Sequence, residues 1–322
     1  MVNKLFYATA SDGVELCYSD ETFSGGLALS PRRDEDEGEE ELVVFQHGYT
    51  SARATWLAVV PLLLAQQTGQ QGQGRGRYRA ICVDMRGCGF SGKPSVASAY
   101  SIARFAEDVL CVVDKAAGKG RSFTYVGHSL GGGIGFALAT GAHSAGRLKR
   151  MVLVTPMPAQ GVVDPFHTHA HDIRRRSEMA VRQYYQWRRA WHARTEWVDA
   201  HEEQVTALFV QDLSVPKAYY DAAWDAMLAF RCDPAKITVP TLMVTGDCDT
   251  LLASNFKDYR TMAKANGNAS LLVVPRASHS LPRDVPEQLA QAIHEFVVHG
   301  VVNVAALEKR AAKYDLDFKA KL

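Results

Sequence analysis

Apolar and polar positions divide the chain into short continuous apolar runs and longer stretches of helical period. Two β-rich segments, residues 4–10 and 14–18, flank Ser11-Asp12-Gly13, which reads as a hairpin turn. "ELVVFQHG" is a buried strand bounded by Gly48, and a helix is expected over residues 52–66. "RAICVDMRGCGFSG" is a second apolar strand running into a glycine-rich turn, "SIARFAEDVLCVVDKAA" has helical periodicity, and "SFTYVGHS" is a strand again. "RLKRMVLVTP" supplies another strand, ended by Pro156 and Pro158. From about residue 160 to 232 no strand-like run occurs, only helical, aromatic-rich sequence. "ITVPTLMVTGDCD" and "NASLLVVPRASHS" then restore strands, and "PRDVPEQLAQAIHEFVV" closes with a helix.

Strand, loop, helix and strand in repetition predict an α/β fold with a mostly parallel central sheet and helices on both faces. The break after Pro158 predicts a helical cap inserted into that core. The expected division is a first core part over 1–157, a cap over 158–235, a second core part over 236–300 and a tail over 301–322. Residues 24–41 combine Gly, Pro and a run of acidic side chains, and residues 66–79 are a Gln/Gly/Arg insert; both read as solvated loops.

Composition narrows the function classes. The chain has 322 residues, a formal net charge of +1 and 47% hydrophobic residues, enough for one large core with a subdomain and without the charge bias of a nucleic-acid binder. No apolar run reaches the roughly 18–20 residues needed to span a bilayer, and the first residues lack a signal-peptide pattern. Six scattered cysteines with no C-x-x-C pair read as reduced thiols of a cell-interior protein.

The chemistry starts at Gly127, Ser129 and Gly131, a G-x-S-x-G placed where a strand meets a helix. Glycines are needed there because the serine occupies a strained turn in which neighbouring Cβ atoms would clash. The turn exposes the hydroxyl and aims the N–H of Leu130, at a helix start, toward developing negative charge. A serine nucleophile needs a base, and the base an orienting carboxylate. Of eleven histidines only His279 follows a late strand, while Asp247 and Asp249 follow the strand before it. His143, His294 and His299 lie on or near helices and read as surface or packing residues.

Four stretches in order resemble the α/β-hydrolase superfamily, in the serine branch that carries a helical cap. "GHSLGG" is similar to its nucleophile elbow, "QHGYTSARATW" to its H-G-x(7)-W oxyanion loop, "DMRGCGFSGKP" to its D-x-R-G-x-G-x-S loop, and "VPTLMVTGDCD" to its acid loop. The resemblance implies Ser129 as nucleophile, His279 as general acid/base and Asp249, rather than Asp247, as the acid. It implies an oxyanion hole of the Leu130 and Tyr49 N–H groups, each contributing about 3–4 kcal/mol of transition-state stabilisation. It calls for no metal or organic cofactor. The family often has Gly before the histidine, where this chain has Ser278.

Four of the five tryptophans, Trp187, Trp191, Trp197 and Trp224, lie in the cap with Tyr184, Tyr185, Phe209, Tyr219 and Tyr220. Such rings fasten the cap to the core or line an apolar pocket over Ser129; Trp187, Trp191 and His128 are the expected substrate contacts. The cap's arginines crowd its first half and its carboxylates the second, as in helix faces that pair. His167, His169 and His171 alternate in a segment without a fixed carboxylate set, and no metal is expected there. The expected activity is that of an esterase, lipase or thioesterase on a small apolar substrate. The same triad also serves C–C hydrolases and acyltransferases, and a receptor-like protein with little turnover keeps the same motifs. Ala320, Lys321 and Leu322 resemble a peroxisomal import signal, which implies an import receptor as partner and a place in lipid or secondary metabolism, against a cytoplasmic alternative.

Overall fold

The computed structural model describes residues 4–22, 40–66, 77–141, 144, 146–162, 183, 186, 210–211 and 213–300. Strands β1 (Leu5–Thr9) and β2 (Glu15–Thr22) form the hairpin, antiparallel, with Leu5 opposite Ser19. The remaining strands are β3 (Glu40–Gln46), β4 (Arg77–Val83), β5 (Phe123–His128), β6 (Leu148–Val154), β7 (Thr241–Gly246) and β8 (Ala269–Val274). They make one sheet in the order β1-β2-β4-β3-β5-β6-β7-β8. Only the pairings of β2 with β1 and β4 are antiparallel; β4 to β8 run parallel.

Parallel strands covered on both faces are apolar throughout, and their side chains alternate between two cores. Val44, Ile81, Tyr125, Leu153 and Met243 join one core, under α2 (Ile102–Ala117), α3 (Leu130–Thr140), α4 (Lys217–Ala229) and α5 (Leu252–Asn266). Val43, Phe45, Val126, Val152, Leu242 and Val244 join the other, under α1 (Val59–Ala65) and α6 (Pro286–His299). Full burial of one such side chain is worth about 1.5–3 kcal/mol. The start of α2 is fixed by Ser101, whose hydroxyl accepts from the Arg104 N–H at 3.1 Å.

Three expectations change. The helix over 52–66 is a 3₁₀ turn, Arg53–Trp56, followed by α1. Pro61 lies in the first turn of α1, where its missing N–H costs nothing, and a helix continuing from Arg53 would need that donor. The closing helix is divided by Pro286 into the turn Leu281–Asp284 and α6. Glu40 belongs to β3 rather than to a solvated loop; beside it Glu41, the first residue of the expected strand, accepts from Thr124 at 2.5 Å and pairs with Lys149 and Arg150, each at 3.3 Å.

None of the six cysteines is in a disulfide. Among the described residues no helix is long and apolar enough to cross a membrane. Most of the expected cap, including Trp187, Trp191 and the histidines 167, 169 and 171, lies outside the described residues. So do the acidic and Gln/Gly/Arg segments over 23–39 and 67–76, His143, and the tail with Ala320, Lys321 and Leu322.

Candidate active site

Ser129 stands between the end of β5 and the start of α3 with φ 54° and ψ −113°, a conformation a non-glycine residue adopts only when its surroundings impose it. Its N–H donates to the Val154 carbonyl at 3.0 Å, and its carbonyl accepts from Gly132 at 2.8 Å and Met157 at 3.0 Å. The glycines make room for the turn. A methyl on Gly127 would overlap the Gly131 carbonyl, and one on Gly131 would stand 2.5 Å from the Gln46 oxygen and 2.9 Å from that of His47. Ser129 is therefore half-buried between two buried neighbours, His128 and Leu130. Leu130 is the first residue of α3, where helix geometry leaves the N–H without an intrahelical acceptor.

The loop after β3 reaches the same place. A Cβ built on Gly48 would stand 3.0 Å from the Ser129 Cβ and 3.2 Å from the His128 Nδ1, so Gly48 permits the close approach of this loop to the serine. His47 holds this loop from within. It is fully buried, its Nε2 accepts from the Met85 N–H at 2.9 Å, and its Nδ1 therefore carries the proton given to the Gly48 carbonyl at 2.7 Å. Burial, against the opposing charge of Asp84, holds its pKa below the usual 6.5 and keeps the ring neutral.

Asp249 and His279 meet across the ends of β7 and β8. The His279 Nδ1 lies 3.2 and 3.3 Å from the two Asp249 carboxylate oxygens. The Asp249 side chain has no exposed surface, whereas that of His279 retains 21%. Burial acts to raise the Asp249 pKa, but the charge and hydrogen bond of His279 and the Leu251 N–H at 2.9 Å outweigh it, and the carboxyl is held below its usual value. Asp247, by contrast, is exposed and accepts from the Cys248 thiol at 3.3 Å.

The His279 backbone is tied to the ends of β5 and β6 through its carbonyl, which accepts from the His128 Nε2 at 2.8 Å and from the Thr155 hydroxyl at 3.1 Å. The rings of His128 and His279 are 5.1 Å apart. His128, expected as a substrate contact, thus spends its Nε2 on the histidine loop. Ser278, in the place of the family's glycine, donates to Asp284 at 2.6 Å and accepts from the Ser280 N–H at 3.2 Å, which braces that loop from the other side.

The D-x-R-G-x-G-x-S loop serves as scaffold. Arg86, fully buried, makes two bonds of 2.6 Å to Asp108 and one of 2.7 Å to Asp12. Asp84 accepts from the N–H groups of Arg53 at 2.7 Å and Phe90 at 3.0 Å. Asp108 and Thr155 were not singled out in the sequence. For Asp108 a signal existed, a carboxylate on the apolar face of α2; for Thr155, whose φ is 41°, there was none. Among the described residues no group of side chains could hold a metal ion. Helix α4 closes over this loop, with Tyr219 fully buried and Tyr220 and Trp224 nearly so.

Known proteins share this framework. The family model described as the alpha/beta hydrolase fold matches residues 41–199. A hydrolase from Pseudomonas aeruginosa is 20% identical, with a TM-score of 0.69 over 92% of this chain and 99% of its own. A malate-bound thermophilic esterase from Thermogutta terrifontis is 22% identical, with a TM-score of 0.67 over 91% and 98%. An enol-lactonase from Burkholderia xenovorans is 20% identical, with a TM-score of 0.68 over 91% and 99%. With its parallel sheet, its serine turn after β5 and these likenesses, the chain has the α/β-hydrolase fold.

Proposed function

We propose that the protein is a serine hydrolase that cleaves a carboxylic ester or thioester of a small, largely apolar molecule through an acyl-enzyme. The observation that carries this reading is the pairing of a buried Asp249 with the His279 Nδ1, because it reserves the other imidazole nitrogen for a proton taken from Ser129. The Ser129 Oγ attacks the acyl carbon while its proton passes to the His279 Nε2. The carbonyl electron pair becomes an oxyanion received by the N–H groups of Leu130 and Tyr49. Collapse expels the alkoxide or thiolate, which takes the proton from Nε2. A water then gives a proton to Nε2 and attacks the acyl group, and Ser129 recovers the proton as the acid leaves. Asp249, held ionised, keeps the imidazole in the required tautomer and stabilises the imidazolium. An esterase and an enol-lactonase among the similar structures are consistent with acyl–oxygen cleavage.

A fluorophosphonate probe tests the assignment. Wild-type protein is expected to be labelled at Ser129 and to turn over short p-nitrophenyl esters. Ser129→Ala is expected to keep its fold and lose labelling and several orders of magnitude of turnover. Turnover in Ser129→Ala within about tenfold of wild type removes the serine from the mechanism; labelling without turnover favours a receptor-like protein.

A further inference from the structure

Tyr49 does more than offer a backbone N–H. Its hydroxyl donates to the Tyr220 carbonyl of α4 at 2.5 Å, across 171 positions of sequence. Its ring stacks on Tyr219, with centroids 5.8 Å apart and planes at 18°, and meets Tyr220 at 5.3 Å and Trp224 at 5.8 Å. All three partners belong to one helix, and that helix is itself pinned. Tyr219 sits on Gly87, where a Cβ would come 2.6 Å from the Tyr219 ring, and packs edge-on against Tyr100 at 5.3 Å. The next residue back from Tyr49, Gly48, faces the Ser129 Cβ directly. Thr50, on its other side, has φ 52°, so the loop around Tyr49 is held in a conformation that it would leave if released.

We infer that the Tyr49 side chain is a positioning residue, which fixes the Tyr49 N–H beside Ser129 according to how α4 is seated. The inference rests on the hydrolase reading. A hydrogen-bond donor stabilises an oxyanion only within a few tenths of an ångström of its proper place. A side chain that ties that donor to α4 makes the seating of this helix a condition for full reactivity. The helix lies in the segment that carries the expected cap, so the seating of that part of the segment is tied directly to the loop that carries Tyr49.

Tyr49→Phe keeps the ring and removes the hydroxyl that bonds the Tyr220 carbonyl. For this variant kcat is expected to fall about tenfold on both p-nitrophenyl acetate and butyrate, with KM within about twofold. The affinity of a trifluoromethyl ketone, which adds to a serine and generates an oxyanion, is expected to fall by the same factor. Trp224→Phe, which weakens the stack from the α4 side, is expected to move both quantities in the same direction if Tyr49→Phe does not fold. Unchanged kcat and ketone affinity overturn the inference, since the side chain then only packs. A KM change that follows acyl length at constant kcat also overturns it, since the ring is then a substrate contact. Ser129→Ala separates the two levels: a wild-type protein as inert as this control overturns the hydrolase reading with the inference, whereas an active wild type matched by Tyr49→Phe overturns the inference alone.

Discussion

Gly246 and Ala277 interlock: a methyl on the glycine would overlap the Ala277 carbonyl, which also accepts from the Cys248 N–H at 3.1 Å. The loops carrying Asp249 and His279 are thereby packed backbone to backbone. Gly246→Ala is expected to lower the unfolding free energy by about 1–3 kcal/mol and to reduce turnover by pushing the two side chains apart. Urea denaturation and ester kinetics on the folded protein check both parts; a variant with wild-type stability shows that the loops yield.

The two carboxylates of the acid loop should behave very differently. Asp249→Asn leaves the imidazole facing an amide and is expected to cost about three to four orders of magnitude in kcat. Asp247→Asn alters an exposed group and is expected to leave kcat close to wild type. Equal losses place the functional carboxylate elsewhere.

His47 makes stability depend on pH. Its folded pKa is depressed below the 6.5 of an ordinary histidine, so beneath that value the unfolded chain binds a proton that the native protein refuses. Stability is therefore full above pH 6.5 and falls as pH drops through it, by up to about 1.4 kcal/mol per pH unit for this one group. The urea midpoint is expected to decline between pH 7 and 5, and less so in His47→Asn. Parallel curves for the two proteins remove His47 as the cause.

Arg86 should matter for folding rather than for chemistry. Arg86→Lys keeps the charge but loses the planar fork that meets Asp108 twice, and is expected to destabilise by about 1.5–3 kcal/mol, the cost of a lost hydrogen bond to a charged group. Kinetics normalised to titrated active sites are expected to match wild type; a reduced kcat per site places the guanidinium in the reaction.

What could be read in advance follows physical range. The strands were visible because Val43, Val44 and Phe45 are all apolar, as a strand buried on both faces demands, and the serine turn because Gly127 answers to a contact within the motif, the Gly131 carbonyl, while Gly131 answers to the end of β3. The acidic run reads as solvated, yet Glu40 at its end joins β3, where Arg79 and Arg121 reach it from far away in sequence. Pro61 and Pro286 were in plain view, but periodicity alone runs through a proline that opens a new helix. His128 and the Tyr49 side chain have roles set by a strand and a helix arriving from the far end of the chain, and no local pattern encodes such a meeting.

The sheet order also sets a timetable for the molecule during synthesis. The serine turn has its backbone partners once β3, β5, α3 and β6 exist, but the residue proposed as its base comes 151 positions after His128, on the loop that follows β8. That strand is the sheet's outer edge and pairs with β7 alone, so it has nowhere to dock until the rest stands. If His279 is the base, a chain still leaving the ribosome displays the Ser129 hydroxyl without the group that would deprotonate it. Under the proposed mechanism, reactivity switches on with the final closure of the edge, and a product truncated before it is chemically silent.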